Sequence, residues 1–314
     1  MNDFIMLNLN NSFKYMNKSR SKTNTKSRSK SKTNTKSKTN TKSKTNTKSK
    51  SRSKNNTKSR SRSKSKTNNN LFNYQNECFI EKPLKIIPFR AENKNEYLDL
   101  KNFEYKVKYI FPIMKNIKST NDFKKLKMSK IGLYSIAYIE LGKKMLSIIN
   151  SKFKNVKDMI LTDANGGIGG LSLQMIDSFK KTNIIELNKF HYEIIKHNLE
   201  AYGFSKSKYD VYNCDSLEYV FKLKSDVIIF DPPWFGKDYK NKSSLLLGLN
   251  NVNIICIINK LFLKKNIKLI LMLIPENYDL NNFLKLLISP SIQIYQVYIK
   301  KNKKQSIISI EKNI

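Results

Sequence analysis

Four glycines fall within five positions in the run Asp163-Ala164-Asn165-Gly166-Gly167-Ile168-Gly169-Gly170. A backbone this bare can pass close beneath a ligand. Alone, such a run is only a tight turn; its neighbours give it meaning. Met159-Ile160-Leu161-Thr162 reads as a short strand before it, and Leu171–Phe179 as a helix after it. Asn183-Ile184-Ile185-Glu186 reads as a second strand ending in an acid, about twenty residues on, the spacing of a nucleoside-binding sheet. There the carboxylate meets the ribose hydroxyls. The turn is D-x-x-G-G-x-G-G and not the dinucleotide pattern G-x-G-x-x-G, so S-adenosylmethionine fits better than a nicotinamide cofactor. The expected cofactor-binding residues are Asp163, Gly167, Gly169 and Glu186, joined by Asp215 at the end of a third strand. A lone Asp at that place is an ordinary helix cap; after the other four in order, the expected partner is the adenine amine.

The alternation continues. Phe190–Tyr202 is an amphipathic helix stopped by Gly203, Tyr209–Asn213 a third strand and Leu217–Leu223 a helix. Val227–Phe230 is an apolar fourth strand, Val252–Phe262 a helix, Ile267–Ile274 a strand ended by Pro275, and Leu280–Leu287 a helix. Ser291–Ile299 and Gln305–Ile310 read as a closing antiparallel hairpin. This order predicts an α/β fold, a parallel sheet covered on both faces. Upstream, Ile136–Phe153 has apolar residues at helical spacing, Ser119–Lys130 reads as a loop or short helix, and Phe103–Ile117 suits strand or helix equally.

The fourth strand runs into Asp231-Pro232-Pro233-Trp234-Phe235-Gly236-Lys237-Asp238-Tyr239. Two prolines cannot continue a parallel strand. They make a stiff loop at the strand's carboxyl end, where open α/β sheets bind ligands. Asp231 and the Pro232 carbonyl can accept both hydrogens of an exocyclic amine. Trp234, the chain's one tryptophan, can hold a planar base. Asp231, Pro232 and Trp234 are therefore the expected catalytic residues. The bland alternative is a proline turn with a core tryptophan. Lys237, Tyr239 and Lys127 are candidates for substrate phosphate, with Lys240 beside them. His191 and His197 lie on the helix after the second strand and read as surface or packing residues.

Charge points to the partner. Sixty Lys and Arg against 24 Asp and Glu give +36, which calls for a polyanion, nucleic acid first and anionic membrane second. Residues 17–70 repeat KSKTNT-like units, with 20 basic side chains and no acid. Nothing there can be buried, so 1–70 is expected to be a disordered basic tail, either a solvated spacer grown by repeat expansion or an arm that tethers RNA in a salt-sensitive way. Residues 71–314 still carry 39 basic and 23 acidic side chains. The cysteines Cys78, Cys214 and Cys256 are scattered, so neither a zinc site, a disulfide framework nor another metal site is expected. No apolar run is long enough to span a membrane, and no secretion signal opens the chain. The expected location is nucleus or cytoplasm, or a viral factory if the Lys-, Asn- and Ile-rich composition reflects the AT-rich genome of a large DNA virus. A monomer is the default.

Asp-Pro-Pro-aromatic at the fourth strand resembles the amine-methylating branch of the class I S-adenosylmethionine-dependent methyltransferases. With Gly236 and Tyr239, Trp234 resembles the S-P-P-W-G-G-x-x-Y motif of the RNA cap guanine-N2 methyltransferases, the trimethylguanosine synthases. Asp231 stands for their serine and Phe235 for their first glycine. The glycine loop is similar to their D-x-x-x-G-x-G-G, and His197–Gly203 to N-N-A-x-x-Y-G. Lys127 with Gly132-Leu133-Tyr134-Ser135 resembles K-L-x-x-x-G-W-F-S, which that family uses for cap phosphates and cofactor, with Leu133 in place of its tryptophan. The resemblance covers about 115–314. It implies a seven-stranded, mostly parallel class I sheet over 151–314, a partly helical extension over 71–150, the cofactor S-adenosylmethionine, and methylation at N2 of a 7-methylguanosine cap on RNA. Asp231 keeps open an adenine-N6 or internal guanine-N2 enzyme acting on RNA or DNA. A catalytically silent RNA-binding protein is the alternative from another class.

Overall fold

The computed structural model describes residues 7–8, 97–234, 236–288, 290–300 and 303–312. The expected tail therefore lies outside the described residues except at Leu7–Asn8, and so do residues 71–96 of the extension.

Seven strands build the main sheet. They are β1 (Ile160–Asp163), β2 (Lys181–Ile185), β3 (Tyr209–Tyr212), β4 (Val227–Phe230), β5 (Leu269–Ile274), β6 (Pro290–Lys300) and β7 (Lys303–Lys312). Their spatial order is β6-β7-β5-β4-β1-β2-β3, with Leu7–Asn8 paired antiparallel on the free edge of β6. The first five are parallel; β7 runs antiparallel between β5 and β6. The mostly parallel sheet and the closing hairpin are thus both present. β4 and β5 are buried along their whole length, as apolar strands covered on two faces must be.

Helices cover both faces. On one lie α1 (Ile139–Lys152), α2 (Gly170–Met175) and α3 (Lys189–Tyr202), packed on alternate residues such as Leu161, Ile184, Ile229 and Leu271. On the other lie α4 (Ser216–Tyr219), α5 (Ile254–Phe262) and α6 (Leu280–Leu286), packed on Ile185, Ile228, Phe230, Ile270 and Met272. The period of two along each strand sorts these residues to opposite faces. Helix α3 stops where expected: Gly203 adopts φ 76°, and its N–H bonds back to the Glu200 carbonyl. Helix α4 is shorter than the Leu217–Leu223 run suggested. Phe103–Ile117 resolves as turns around a short helical stretch, Glu104–Val107, rather than a strand.

The extension shares a core with the sheet. Val107, Phe111, Phe123 and Met128 pack with Ile168 of the glycine loop, Leu173 of α2 and Leu199 of α3. Three side chains of α3 add polar ties. The Asn198 amide accepts from Lys127 N (2.8 Å) and donates to Lys127 O (3.0 Å). His191 Nε2 meets Ser129 Oγ at 2.9 Å, and His197 Nε2 meets Lys125 O at 2.9 Å. His191 is buried, and burial holds its pKa down at about 4, so it is a neutral packing residue. Cys214 is a free thiol, while Cys256 is disulfide-bonded, which corrects the expectation for that cysteine; Cys78 lies outside the described residues.

Candidate active site

Sheet order reverses between β1 and β4. Chain connections leave in opposite directions from that point, opening a crevice at the strands' carboxyl ends. Register then gathers the acids. Asp163 pairs with Ile184 on one side and Ile229 on the other. Glu186 and Asp231 each stand two residues further along their chains, so all three carboxylates converge at one strand end.

The glycine loop lies over them. Gly167 (φ 57°) and Gly169 (φ 96°) adopt left-handed backbone that favours glycine, and a Cβ on Gly167 would meet nothing within 4 Å. That side of the loop is open space. Gly166 N donates to the Ile185 carbonyl (2.9 Å) and Ala164 N to the Ile229 carbonyl (2.9 Å), fastening the loop to both neighbouring strands. From the extension, the turn Gly132–Ser135 presses on the loop. Gly132 is so close to the Ile168 side chain that a Cβ would sit 2.9 Å from it.

Asp163 accepts from Ser172 Oγ (2.6 Å) and Asn165 N (3.3 Å). Glu186 accepts from Gly167 N (2.7 Å) and Asn188 N (2.8 Å). Burial raises the pKa of Asp163 to about 6 against those bonds. It raises Glu186 to about 7, with the charge of Asp163 adding to the rise. Asp231 is raised furthest, to about 8, by burial first and Asp163 second. Part of its surface is reachable through the crevice, yet protein surrounds it. Among the described residues no donor bonds its carboxylate or the Pro232 carbonyl. Nor do the described residues hold a cluster of acids, His or Cys suited to a metal. A crowd of buried carboxylates without a neighbouring cation fits a ligand that brings positive charge of its own, as the sulfonium and amino groups of S-adenosylmethionine do.

Asp215 takes the helix-cap geometry. It accepts from Leu217 N (2.8 Å) and from the Asn250 amide. An ionised carboxylate offers about four acceptor sites, so capping leaves it capacity for a further donor.

Beyond Pro233 the loop turns back over the sheet. Trp234 is half-buried against both faces of the core, its ring meeting Tyr239 edge-on at 5.4 Å and 73°. Its indole N–H is buried with no hydrogen-bond partner among the described residues. Asn277, in the loop after β5, donates to the Tyr239 and Lys242 carbonyls at 2.8 Å each and fixes this arm. The backbone of Lys237 lies in the turn Gly236–Asn241, and its side chain is outside the described residues. Lys127 is not gathered with the others. Its ammonium lies 5.3 Å over the Tyr97 ring, and no described hydrogen bond or ring contact joins it to Trp234.

Sequence reasoning passed over Ser172, Asn198, Asn250 and Asn277. Asn198 stood inside a quoted motif without a role. The others are single polar side chains whose partners are distant in sequence, and no local spacing marks them.

Residues 158–312 match a family model described as RNA cap guanine-N2 methyltransferase. A protein of Acanthamoeba polyphaga mimivirus, uncharacterised L320, is 29% identical over 167 residues, 52% of this chain and 62% of that one. The chain thus spans about three-fifths of the length of that relative. The trimethylguanosine synthase of Schizosaccharomyces pombe is 26% identical over 172 residues, 51% of this chain and 71% of that one. Among solved structures, a Listeria monocytogenes protein described as a class I S-adenosylmethionine-dependent methyltransferase shares 15% identity. It covers 69% of this chain and 71% of its own, with a TM-score of 0.46.

Proposed function

We propose that this chain, whose residues 158–312 belong to the RNA cap guanine-N2 methyltransferase family, methylates the exocyclic N2 of a 7-methylguanosine cap on RNA, giving di- or trimethylguanosine. The sheet domain is that of a class I methyltransferase, and its cofactor is S-adenosylmethionine, which supplies an electrophilic methyl on a sulfonium. The observation that carries the finer reading is the Asp231–Trp234 segment: a half-buried carboxylate with no hydrogen-bond partner among the described residues, three residues from a half-buried indole, at the carboxyl end of β4.

The roles follow from chemistry. Glu186 takes the ribose hydroxyls, Asp215 the adenine amine, and Gly167 and Gly169 let the backbone come close, with Asp163 bracing the loop through Ser172. Asp231 and the Pro232 carbonyl accept the two N2 hydrogens and aim the nitrogen lone pair. A 7-methylguanine ring is cationic, and an indole face attracts it by about 0.5–2 kcal/mol. A neutral guanine forgoes that attraction, so Trp234 discriminates cap from internal base. Alignment carries most of the catalysis. Tyr239 and Lys237 serve the cap phosphates, and Lys127 reaches them only by leaving Tyr97.

Asp231 also supports a second reading, in which the acceptor is an adenine N6 or an internal guanine N2. Labelled S-adenosylmethionine with 7-methyl-GTP and GTP, followed by mass analysis, separates them. Methylation of 7-methyl-GTP alone is expected. Methylation of neither, with activity on uncapped polynucleotide, would overturn the cap reading.

RNA is the proposed macromolecular partner, with the basic tail over 1–70 as a nonspecific arm in a monomeric enzyme of nucleus or cytoplasm. No described helix is long and apolar enough to cross a membrane. Deleting 1–70 is expected to weaken binding of long RNA more than turnover of a cap dinucleotide. Equal losses on both would remove the arm from the reading.

A further inference from the structure

The extension carries a run of exposed aromatic rings and lysines. In Tyr105-Lys106-Val107-Lys108-Tyr109, Val107 is fully buried and anchors the run, while its flanking aromatics face out. Tyr105 is 67% exposed and Tyr109 38%. Tyr134, on the turn that abuts the glycine loop, is 66% exposed. Two of the three rings have a lysine at hand. Lys106 Nζ lies 4.7 Å from the Tyr134 ring centre and hydrogen-bonds to the Leu133 carbonyl, tying the two segments together. Lys108 Nζ lies 5.4 Å from the Tyr109 ring. Residues 97–138 hold nine lysines and three acids.

The lysines beside Tyr134 and Tyr109 repel cationic partners and attract phosphate. Rings alternating with ammonium groups match a single strand of nucleic acid, whose bases stack on aromatic faces while its backbone meets positive charge. The surface also starts in the right place: Tyr134 is two residues from Gly132, which touches Ile168 of the glycine loop. From these observations we infer that Tyr134, Lys106, Tyr105, Lys108 and Tyr109 form a track for single-stranded RNA next to the methylated nucleotide. Base stacking on Tyr105 is its principal contact. This deepens the RNA reading above but does not need the acceptor to be a cap.

The test keeps the full chain, so the tail contributes equally throughout. Binding of an uncapped 20-nucleotide RNA is measured by fluorescence anisotropy in salt high enough to suppress the tail. The variant Y105A/K108A is expected to raise Kd about tenfold, in line with loss of one base–aromatic stack and one phosphate contact. Tyr105→Phe keeps the ring and is expected to bind within twofold of the parent. On methylation, Y105A/K108A raises KM for the long RNA and leaves turnover of 7-methyl-GTP unchanged. An unaltered Kd for the uncapped RNA overturns the track, as does a loss shared by Tyr105→Phe. If 7-methyl-GTP is not a substrate at all, the cap reading fails while the anisotropy result still decides the track.

Discussion

The two halves of the crevice are finished to different degrees. On the β1–β2 side every carboxylate is already engaged by the protein: Asp163 by Ser172 and Asn165, Glu186 by Gly167 and Asn188. On the β4 side the Asp231 carboxylate, the Pro232 carbonyl and the Trp234 N–H have no partner among the described residues. Of the three, the indole N–H is fully buried, and a buried polar group without a partner commonly costs about 1–3 kcal/mol. The first half is shaped before any ligand arrives. The second is left to be completed by what it binds, and a molecule that does so gains what the fold has forgone.

Trp234→Ala should show the largest effect, a fall in kcat/KM of about a hundredfold or more, since small misplacements of a reacting group carry penalties of that order. Cofactor affinity by calorimetry should stay within about twofold, because the indole belongs to the other half. A matching loss of cofactor affinity would erase the distinction between the halves.

Glu186→Ala tests the finished side. It removes the acceptor for two backbone N–H groups as well as a ribose contact, so cofactor affinity should fall about tenfold, with a lower melting temperature from the two orphaned donors. Unchanged affinity would take Glu186 out of the cofactor site.

Asp231→Asn sharpens the comparison through pH. Asp231 is raised from the ordinary carboxylate value of 3.8 to about 8, so the folded protein binds more protons than the unfolded chain between those limits. Stability from this group is full below about pH 4, declines as pH rises, and is lost above about 8. Melting temperature should therefore fall with pH more steeply in the parent than in the Asn variant, and added S-adenosylmethionine, being cationic, should reduce the gap. Parallel curves would mean that the carboxylate is not desolvated. In kcat/KM the parent should gain with pH toward about 8 as the acceptor ionises, a rise that the variant lacks on top of the titration of Glu186 and Asp163 common to both.

The smallest effect is expected at Gly167→Ala. Space is open there, so the penalty is the left-handed φ, about 1 kcal/mol, plus intrusion into that space. Cofactor affinity should drop a few-fold. No change would place the cofactor elsewhere along the loop.

Much of this was legible in the chain itself. Strand–helix alternation follows from apolar periodicity, and strand ends are marked by Asp163, Glu186 and the Asp231-Pro232-Pro233 break, so the sheet and the convergence of acids could be read. Long-range polar ties could not. That Asn198 would clamp Lys127, or Asn277 hold the arm bearing Tyr239, depends on separations that no periodic pattern encodes. Lys127 shows the limit from the other side, because a motif match gave it a phosphate role and the fold set its ammonium over Tyr97. Helix α4 came out short for a local reason: its cap Asp215 fixes the start, but only four residues follow before the chain turns.

Three polar side chains of α3 and the shared apolar cluster bind the extension to the sheet. Residues near 97–138 are therefore not an appendage that can be shed without cost. A chain beginning at residue 158, where the family match starts, would lay bare Ile168, Leu173, Ile176 and Leu199 to water. Heat or denaturant should melt the extension and the sheet in one transition, with amide protons of both regions exchanging at a common, slowest rate. The working unit, in the sense of what must be inherited whole, is longer than the stretch its relatives make recognisable.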